Sequence, residues 1–299
     1  MASLFAGASS LVARCRKWWR GPPTVSVIRL AGVIGVDSAM RGGLTIRGLA
    51  PLLERAFAPS RLAAVALVIN SPGGSPVQSA LIAKRIRALA DEKKVPVLAF
   101  VEDVAASGGY WLACAADEIY ADENSIVGSI GVISASFGFQ DLIARHGIER
   151  RVHTAGERKL MLDPFQPESP DDLERLKAIQ VEIHESFKEM VRHRRGDRLG
   201  LDDEGREHIL FSGEFWTGRR GMALGLVDGL GDLSSKLQER FGPKVRLRPV
   251  TESRGWLHLD LGGRTGLARG RAPVDWVATG IGGVLAALEE RSWWARHGL

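Results

Sequence analysis

Apolar, β-branched runs alternate with helical patterns through the first third of the chain, and this alternation limits the fold more than any other feature. The runs lie at residues 24–30, 63–69 and 97–101. Between the last two, residues 76–91 carry apolar side chains at helical spacing, with cations largely on the opposite face. Strands that alternate with amphipathic helices are typical of βαβ crossovers and a parallel sheet. We therefore predict an α/β fold.

Further elements follow along the chain. We predict a buried helix that opens at Ser107, a helix capped by Ser169 that ends in cations, and no internal repeat. The other predicted elements are short strands at residues 119–120, 132–137 and 151–154 and a helix at residues 140–145. With 299 residues, of which 45% are hydrophobic, the chain can bury a sizeable core.

Composition divides the chain into three parts. Residues 1–23 form a basic, tryptophan-containing N-terminal extension, residues 24–250 a globular domain, and residues 251–299 a glycine-rich linker with an amphipathic C-terminal tail. The net charge of +5 has no aromatic-interleaved nucleic-acid pattern with it, so we expect no nucleic-acid partner. Cys15 and Cys114 cannot make a disulfide framework.

Both ends mix tryptophan with arginine, as in Trp18 and Trp19 beside Arg20, and in Trp293 and Trp294. This composition suits a membrane interface or an acidic partner surface, and a disordered basic tail is the alternative at the N-terminus. The apolar stretches are too short to span a bilayer, and no cleavable export signal is evident. We therefore expect a cytoplasmic or peripherally membrane-associated protein.

Two glycine turns follow consecutive predicted strands. Residues 69–76 read Ile-Asn-Ser-Pro-Gly-Gly-Ser-Pro and open the amphipathic helix, so the amides of Gly73 and Gly74 could stabilise an oxyanion; a plain tight turn is the alternative. Residues 104–110 read Val-Ala-Ala-Ser-Gly-Gly-Tyr, in which Ser107 is a nucleophile or a helix cap and Gly108 offers an amide. Such turns can meet at the carboxyl edge of a parallel sheet.

A serine nucleophile needs a neighbouring base. Of the seven histidines, His153 alone falls near a plausible site, and its position suits a surface role. Lys159 follows Gly-Glu-Arg at residues 156–158. A lysine can serve as base once desolvation lowers its pKa from about 10.4 toward roughly 7 to 8, whereas an arginine cannot. No ligand pattern argues for a metal, and we predict no cofactor.

Four motifs in order carry a resemblance to a family. Residues 69–74, residues 104–110, the sequence Gly-Ser-Ile-Gly-Val at residues 128–132 and Gly-Glu-Arg-Lys at residues 156–159 closely resemble the signal peptide peptidase A (SppA/SohB-type) family of serine proteases. Residues 211–228 also resemble the closing motif of that family. The likeness covers roughly residues 24 to 245.

The resemblance implies a ClpP/crotonase-like fold of repeated ββα units. It implies that Ser107 is the nucleophile, that Lys159 is the general base and later acid, and that Ser129 orients the lysine amine. Gly74 and Gly108 would supply the oxyanion amides, with Gly73 as a third candidate.

The same resemblance implies hydrolysis of hydrophobic peptides, such as signal-peptide remnants, through an acyl-enzyme. Family members assemble into rings or domes in which serine and lysine can come from neighbouring units, so a single-copy chain would act as a homo-oligomer. Two other functions stay open from the residues: a crotonase-type acyl-CoA hydratase or thioesterase, which also uses two glycine-turn amides, and a non-catalytic membrane-surface assembly protein. The sequence departs from the family pattern in lacking the usual N-terminal membrane span.

Overall fold

The computed structural model describes residues 21–35, 43–156, 158–201 and 204–251, which form an α/β fold on one eight-stranded sheet. In chain order the elements are β1 (Thr24–Ala31), α1 (Ile46–Phe57), β2 (Leu62–Ser71), α2 (Pro76–Lys93), β3 (Val97–Ala106), α3 (Gly108–Ala113), β4 (Glu118–Ala121), β5 (Ile126–Gly128), α4 (Gln140–Arg145), α5 (Pro170–Arg195), a 3-10 turn (Gly196–Leu199), α6 (Glu204–Leu210), β6 (Phe215–Thr217), α7 (Gly218–Ala223), β7 (Gly229–Leu230), α8 (Leu233–Phe241) and β8 (Arg246–Pro249).

The sheet has the order β6-β5-β3-β2-β1-β8, and β4 pairs with both β3 and β7. The pairings within it are parallel apart from that of β5 with β6. Because parallel strands end at the same edge, the last residues of β2, β3 and β5 lie side by side. Ser71 is in register with Ala105, and Ala106 is in register with Gly128. The two glycine turns therefore leave the sheet at one edge.

Strand β2 is an unbroken apolar run because both faces of the sheet are covered. Val65 and Leu67 belong to a core shared with helices α1, α2 and α3. Ala64 and Ala66 alternate with them and pack on the other face, in a smaller cluster with Leu237 of α8. The period of two along the strand thus divides its side chains between two cores.

The repeated ββα architecture is confirmed. After β1, Ile34 forms short parallel bridges to Leu44 and to Gly74, and Gly74 itself follows β2. Each of the first two long strands is therefore followed by a short bridged segment and then by a helix. This is the arrangement expected of a ClpP/crotonase-like fold.

Two of the predicted strands are wrong. Residues 132–137 and residues 151–154 form neither helix nor strand. β5, the strand that precedes both segments, already pairs with β3 on one side and with β6 on the other, and strand propensity without a pairing partner does not make a strand. The first segment leaves apolar side chains in solvent: Ile133 is 59% exposed and Phe137 is 77% exposed.

Helix α5 is anchored by its C-terminal third. Its buried side chains are Phe187, Val191 and Arg195. Toward its N-terminus the helix exposes Ile179 and Val181. The apolar side chains of this helix therefore belong to the core at Phe187 and lie in solvent at Ile179.

The predicted terminal extensions fall largely outside the described residues, except for residues 21–23 and residue 251. Cys15 and the four terminal tryptophans lie outside as well. Within the described ranges, no helix combines the length and the apolar character needed to cross a membrane.

Candidate active site

Ser107 has a strained backbone at the junction of β3 and α3. Its φ of 51° and ψ of −122° form a conformation that costs a residue other than glycine about 1–3 kcal/mol. Its amide donates to the Gly128 carbonyl at 2.8 Å, and its carbonyl accepts from the Trp111 amide at 3.0 Å. The side chain is partly exposed and makes no capping hydrogen bond. Strain without a capping role favours the nucleophile interpretation over the helix cap.

The turn after β2 lies in contact with Ser107. A Cβ atom on Gly73 would lie 2.8 Å from the Ser107 Cβ and 2.9 Å from the Gly108 amide nitrogen. A Cβ atom on Gly74 would lie 2.1 Å from the Ile34 carbonyl oxygen. Both glycines also have positive φ angles, of 108° and 140°. Close backbone packing around the serine therefore requires glycine at both positions.

Two unpaired amides lie beside the Ser107 side chain. A Cβ atom on Gly108 would be 3.4 Å from the Gly74 amide nitrogen, so the two residues are neighbours. Among the described residues, neither of these amides donates a hydrogen bond. The Gly73 amide instead donates to the Ser71 hydroxyl at 3.3 Å. Adjacent free donors next to a hydroxyl can stabilise an oxyanion that forms on a bound carbonyl group.

Ser129 follows β5, in a loop whose Gly128 carbonyl also accepts the hydrogen bond from the Ser107 amide. The loop places two successive residues at positive φ, Gly128 at 104° and Ser129 at 53°. The Ser129 amide donates to the Glu214 carbonyl at 2.7 Å, which ties the loop to the segment before β6. The Gly128 carbonyl is the acceptor for Ser107 described above, so one loop carries Ser129 and fixes the backbone of Ser107.

Lys159 lies in an exposed turn and is not hydrogen-bonded to Ser107 in the described ranges. It lies in a turn in which its amide donates to the Gly156 carbonyl at 3.3 Å, and its side chain is exposed. In the described part of the chain, its amine makes no hydrogen bond or ion pair. The structure thus brings Ser107, Gly74 and Gly108 together, and it shows the Lys159 side chain exposed, without a hydrogen bond to the serine in the described ranges. His153 is exposed, as expected for a surface residue.

Comparison with known proteins identifies the family of the chain. The sequence profile described as "Peptidase family S49" matches residues 89–240. The chain belongs to peptidase family S49. The match runs from within α2 to the end of α8, and it contains Ser107, Ser129 and Lys159. The glycine turn after β2 precedes the matched range.

Two of the similar proteins are much longer than this chain, and one is named as an antiporter and the other as a serine protease. The chain is 51% identical over 277 residues to the Na(+)/H(+) antiporter NhaA of Brucella abortus, an alignment that covers 92% of this S49 chain and 37% of that protein. It is 31% identical over 222 residues to the chloroplastic serine protease SPPA of Arabidopsis thaliana, covering 72% of this chain and 31% of that protein. The chain thus spans about a third of the length of these relatives.

A similar solved structure is the 1510-N membrane-bound stomatin-specific protease, in a mutant form in complex with a substrate peptide. It has 14% sequence identity to this S49 chain and a TM-score of 0.48, and the match covers 79% of this chain and 95% of that one.

Sequence reasoning missed a buried hydrogen-bond network in this S49 domain that holds the helix after Ser107. The Tyr110 hydroxyl, on the helix that begins after Ser107, donates to the Leu226 carbonyl at 2.8 Å. Arg195 donates to the Gly225 carbonyl at 2.9 Å and to both carboxylate oxygens of Asp228, at 2.8 and 3.0 Å. The only sequence signals were the cations that end α5 and the closing motif at residues 211–228.

Two buried groups near this network, Cys114 and Tyr110, have pKa values too high for them to act as nucleophile or base at neutral pH. Burial raises the pKa of the Cys114 thiol to about 11 and holds the pKa of Tyr110 well above its usual range. Both groups therefore stay protonated at neutral pH. No cluster of three or more histidine, cysteine or acidic residues that could hold a metal occurs in the part of the chain that the structure describes.

Proposed function

We propose that this protein is a serine endopeptidase that hydrolyses peptide bonds through an acyl-enzyme, with Ser107 and Lys159 as its catalytic dyad. The observation that carries the proposal is the strained Ser107 beside the two free amides of Gly74 and Gly108. Membership of peptidase family S49 favours peptide hydrolysis over acyl-CoA chemistry and over a purely structural role.

In the first step, the neutral amine of Lys159 takes the proton of the Ser107 hydroxyl as its oxygen attacks the substrate carbonyl. Ser129 orients the amine through its own hydroxyl. The negative charge that forms on the carbonyl oxygen is stabilised by the amides of Gly74 and Gly108. We assign no donor role to Gly73, because its amide already bonds to the Ser71 hydroxyl.

In the second step, the Lys159 ammonium gives its proton to the leaving amine, and the peptide bond breaks to leave an ester on Ser107. Water then attacks the ester, with the lysine amine again accepting a proton. Collapse of the second tetrahedral intermediate breaks the ester bond, and the Lys159 ammonium returns its proton to the serine oxygen. The released carboxylic acid then loses its proton to water. No metal or cofactor takes part.

Three variants test the dyad. Ser107→Ala and Lys159→Ala should each lower peptidase activity by at least about 1,000-fold, because each removes one member of a unit that acts together. Lys159→Arg should be as inactive as Lys159→Ala, because a guanidinium keeps its proton. Peptide cleavage by the purified oligomer is the measurement, and Lys94→Ala in the turn after α2 is the control. Full activity in either alanine variant would refute the mechanism.

We further propose that the active form is a homo-oligomer, in a ring or dome. Support comes from the exposed amine of Lys159 and from the exposed apolar side chains of the same region. These include Ile133, Phe137 and Leu142. A base needs a desolvated amine, and a neighbouring subunit could cover the segment that carries it.

For the substrate we propose hydrophobic peptides such as signal-peptide remnants. The resemblance of the four motifs to the signal peptide peptidase A family supports this choice, because that family hydrolyses such peptides. A panel of peptides that differ in apolar content should show higher kcat/KM for the apolar members. Faster cleavage of the polar peptides would contradict this assignment.

We also propose that the residues 1–23 and 251–299 form extensions to the catalytic domain of residues 24–250 and contact a membrane surface peripherally. The support is their tryptophan and arginine content. Binding to anionic vesicles should weaken with salt and should fall when residues 1–22 are deleted. Vesicle sedimentation measures it, and equal binding by the deletion variant would exclude a role for the N-terminus.

A further inference from the structure

Helix α5 reaches the proposed site through one histidine. His184, in the middle of the helix, has its Nε2 atom 3.0 Å from the Ile130 carbonyl oxygen, a contact between residues 54 positions apart. A carbonyl oxygen only accepts hydrogen bonds, so Nε2 carries the hydrogen and donates it. The side chain is partly buried. His184 therefore fixes the backbone immediately after Ser129.

The loop that accepts this hydrogen bond contains Ser129 and also contacts the backbone of Ser107. The Gly128 carbonyl holds the amide of Ser107 at 2.8 Å, and Ser129 is the proposed partner of the lysine amine. Two successive residues of this loop have positive φ angles, which strains the backbone at the serine. Surrounding contacts must therefore hold the loop in this conformation. The Glu214 carbonyl holds it at the Ser129 amide, and His184 holds it at the Ile130 carbonyl.

The C-terminal end of α5 is fixed independently of His184. Arg195, which is 2% exposed, makes the ion pair with Asp228, and Asp228 also accepts a hydrogen bond from the Ile119 amide at 2.7 Å. The helix is therefore attached firmly to the core eleven residues beyond the histidine, about three turns away. His184 projects from a fixed support toward the loop, as a positioning group requires.

We propose that His184 is a positioning residue for the peptidase reaction. Its hydrogen bond to the Ile130 carbonyl holds the 128–131 loop so that Ser129 meets the lysine amine and Gly128 holds the Ser107 backbone. The inference rests on the proposed peptidase function and adds to it a residue outside the catalytic motifs. His184 touches neither the substrate nor the reacting atoms.

The test compares two substitutions of one side chain. In His184→Gln, the amide Nε2 lies the same number of bonds from Cα as the imidazole Nε2 and can donate to the same carbonyl. His184→Ala removes the donor. We expect the alanine variant to lose about 10- to 100-fold in kcat with KM little changed, since a misplacement of about 1 Å costs rate at this scale. The glutamine variant should stay within about threefold of the wild type.

A second measurement separates positioning from folding. The rate at which a fluorophosphonate acylates Ser107 should fall in His184→Ala in parallel with kcat, while the melting temperature of the full-length oligomer changes little. His193→Ala is the matched control, because this histidine lies on the same helix, is exposed, and makes no hydrogen bond among the described residues. It should retain the activity and acylation rate of the wild type.

Each outcome decides between the alternatives. If the wild type is active and His184→Ala keeps its kcat within twofold, the inference is wrong and the proposed function stands. The inference is also wrong if the glutamine variant is as impaired as the alanine variant, or if the His193 control loses as much. A wild-type oligomer without peptidase activity would refute the function itself and, with it, the role given to His184.

Discussion

At the scale of single residues, Ser107 has a backbone conformation that costs stability. Its positive φ is a conformation that glycine adopts freely and that serine adopts only under strain. Substitution by alanine would remove the hydroxyl and keep the strain. Substitution by glycine would remove both, while adding some flexibility to the unfolded chain that offsets part of the gain.

We therefore predict that Ser107→Gly is more stable than Ser107→Ala by about 1 kcal/mol, although both are inactive. The difference corresponds to roughly 2–4 °C in melting temperature for a domain of this size. Urea unfolding at one fixed protein concentration measures it. A glycine variant no more stable than the alanine variant would mean that the Ser107 backbone stores no strain.

At the scale of elements, helix α3 depends on a contact with a distant part of the chain. The Tyr110 hydroxyl is buried, and its hydrogen bond to the Leu226 carbonyl holds the helix that begins after Ser107. We predict that Tyr110→Phe lowers the free energy of unfolding by about 1–3 kcal/mol, because the carbonyl is left buried without its donor. We also expect a lower kcat, since the helix carries one of the two proposed oxyanion amides.

The other tyrosine of the chain provides the control. Tyr120 donates to the nearby Glu118 carboxylate at 2.5 Å, and both side chains are only partly buried. Tyr120→Phe should therefore cost less than about 1 kcal/mol and leave kcat unchanged. Denaturant unfolding and steady-state kinetics on both variants check the pair. Equal effects of the two substitutions would contradict a special role for Tyr110.

These elements also show what the sequence could predict. The strands β1 to β3, the helix α2 and the glycine turns depend on local periodicity and on backbone conformations that only glycine tolerates, so a single sequence reveals them. The Tyr110 contact joins residues 116 positions apart, and the His184 contact joins residues 54 apart. No local pattern encodes such pairs. The strands predicted at residues 132–137 and 151–154 failed because strand formation needs a pairing partner as well as a suitable sequence.

At the scale of the whole molecule, the question is whether the serine and the lysine of one site belong to the same subunit or to different subunits. We predict that a refolded 1:1 mixture of Ser107→Ala and Lys159→Ala chains regains about a quarter of the wild-type activity if each site takes its serine and lysine from different subunits. Each variant alone should stay inactive. Cleavage of a peptide by the mixture after co-refolding, against each variant refolded alone, is the measurement, and an inactive mixed oligomer would indicate a dyad within one chain.

If Lys159 reaches the serine only from a neighbouring subunit, assembly decides when this protein could be harmful in a cell. With a dyad formed between subunits, the serine of a newly synthesised, unassembled chain has no base beside it, and the chain digests nothing. Hydrolysis starts once enough copies have accumulated to meet, so turnover per chain should rise steeply with protein concentration and vanish on dilution. Assembly would then perform the task that many proteases assign to a removable propeptide.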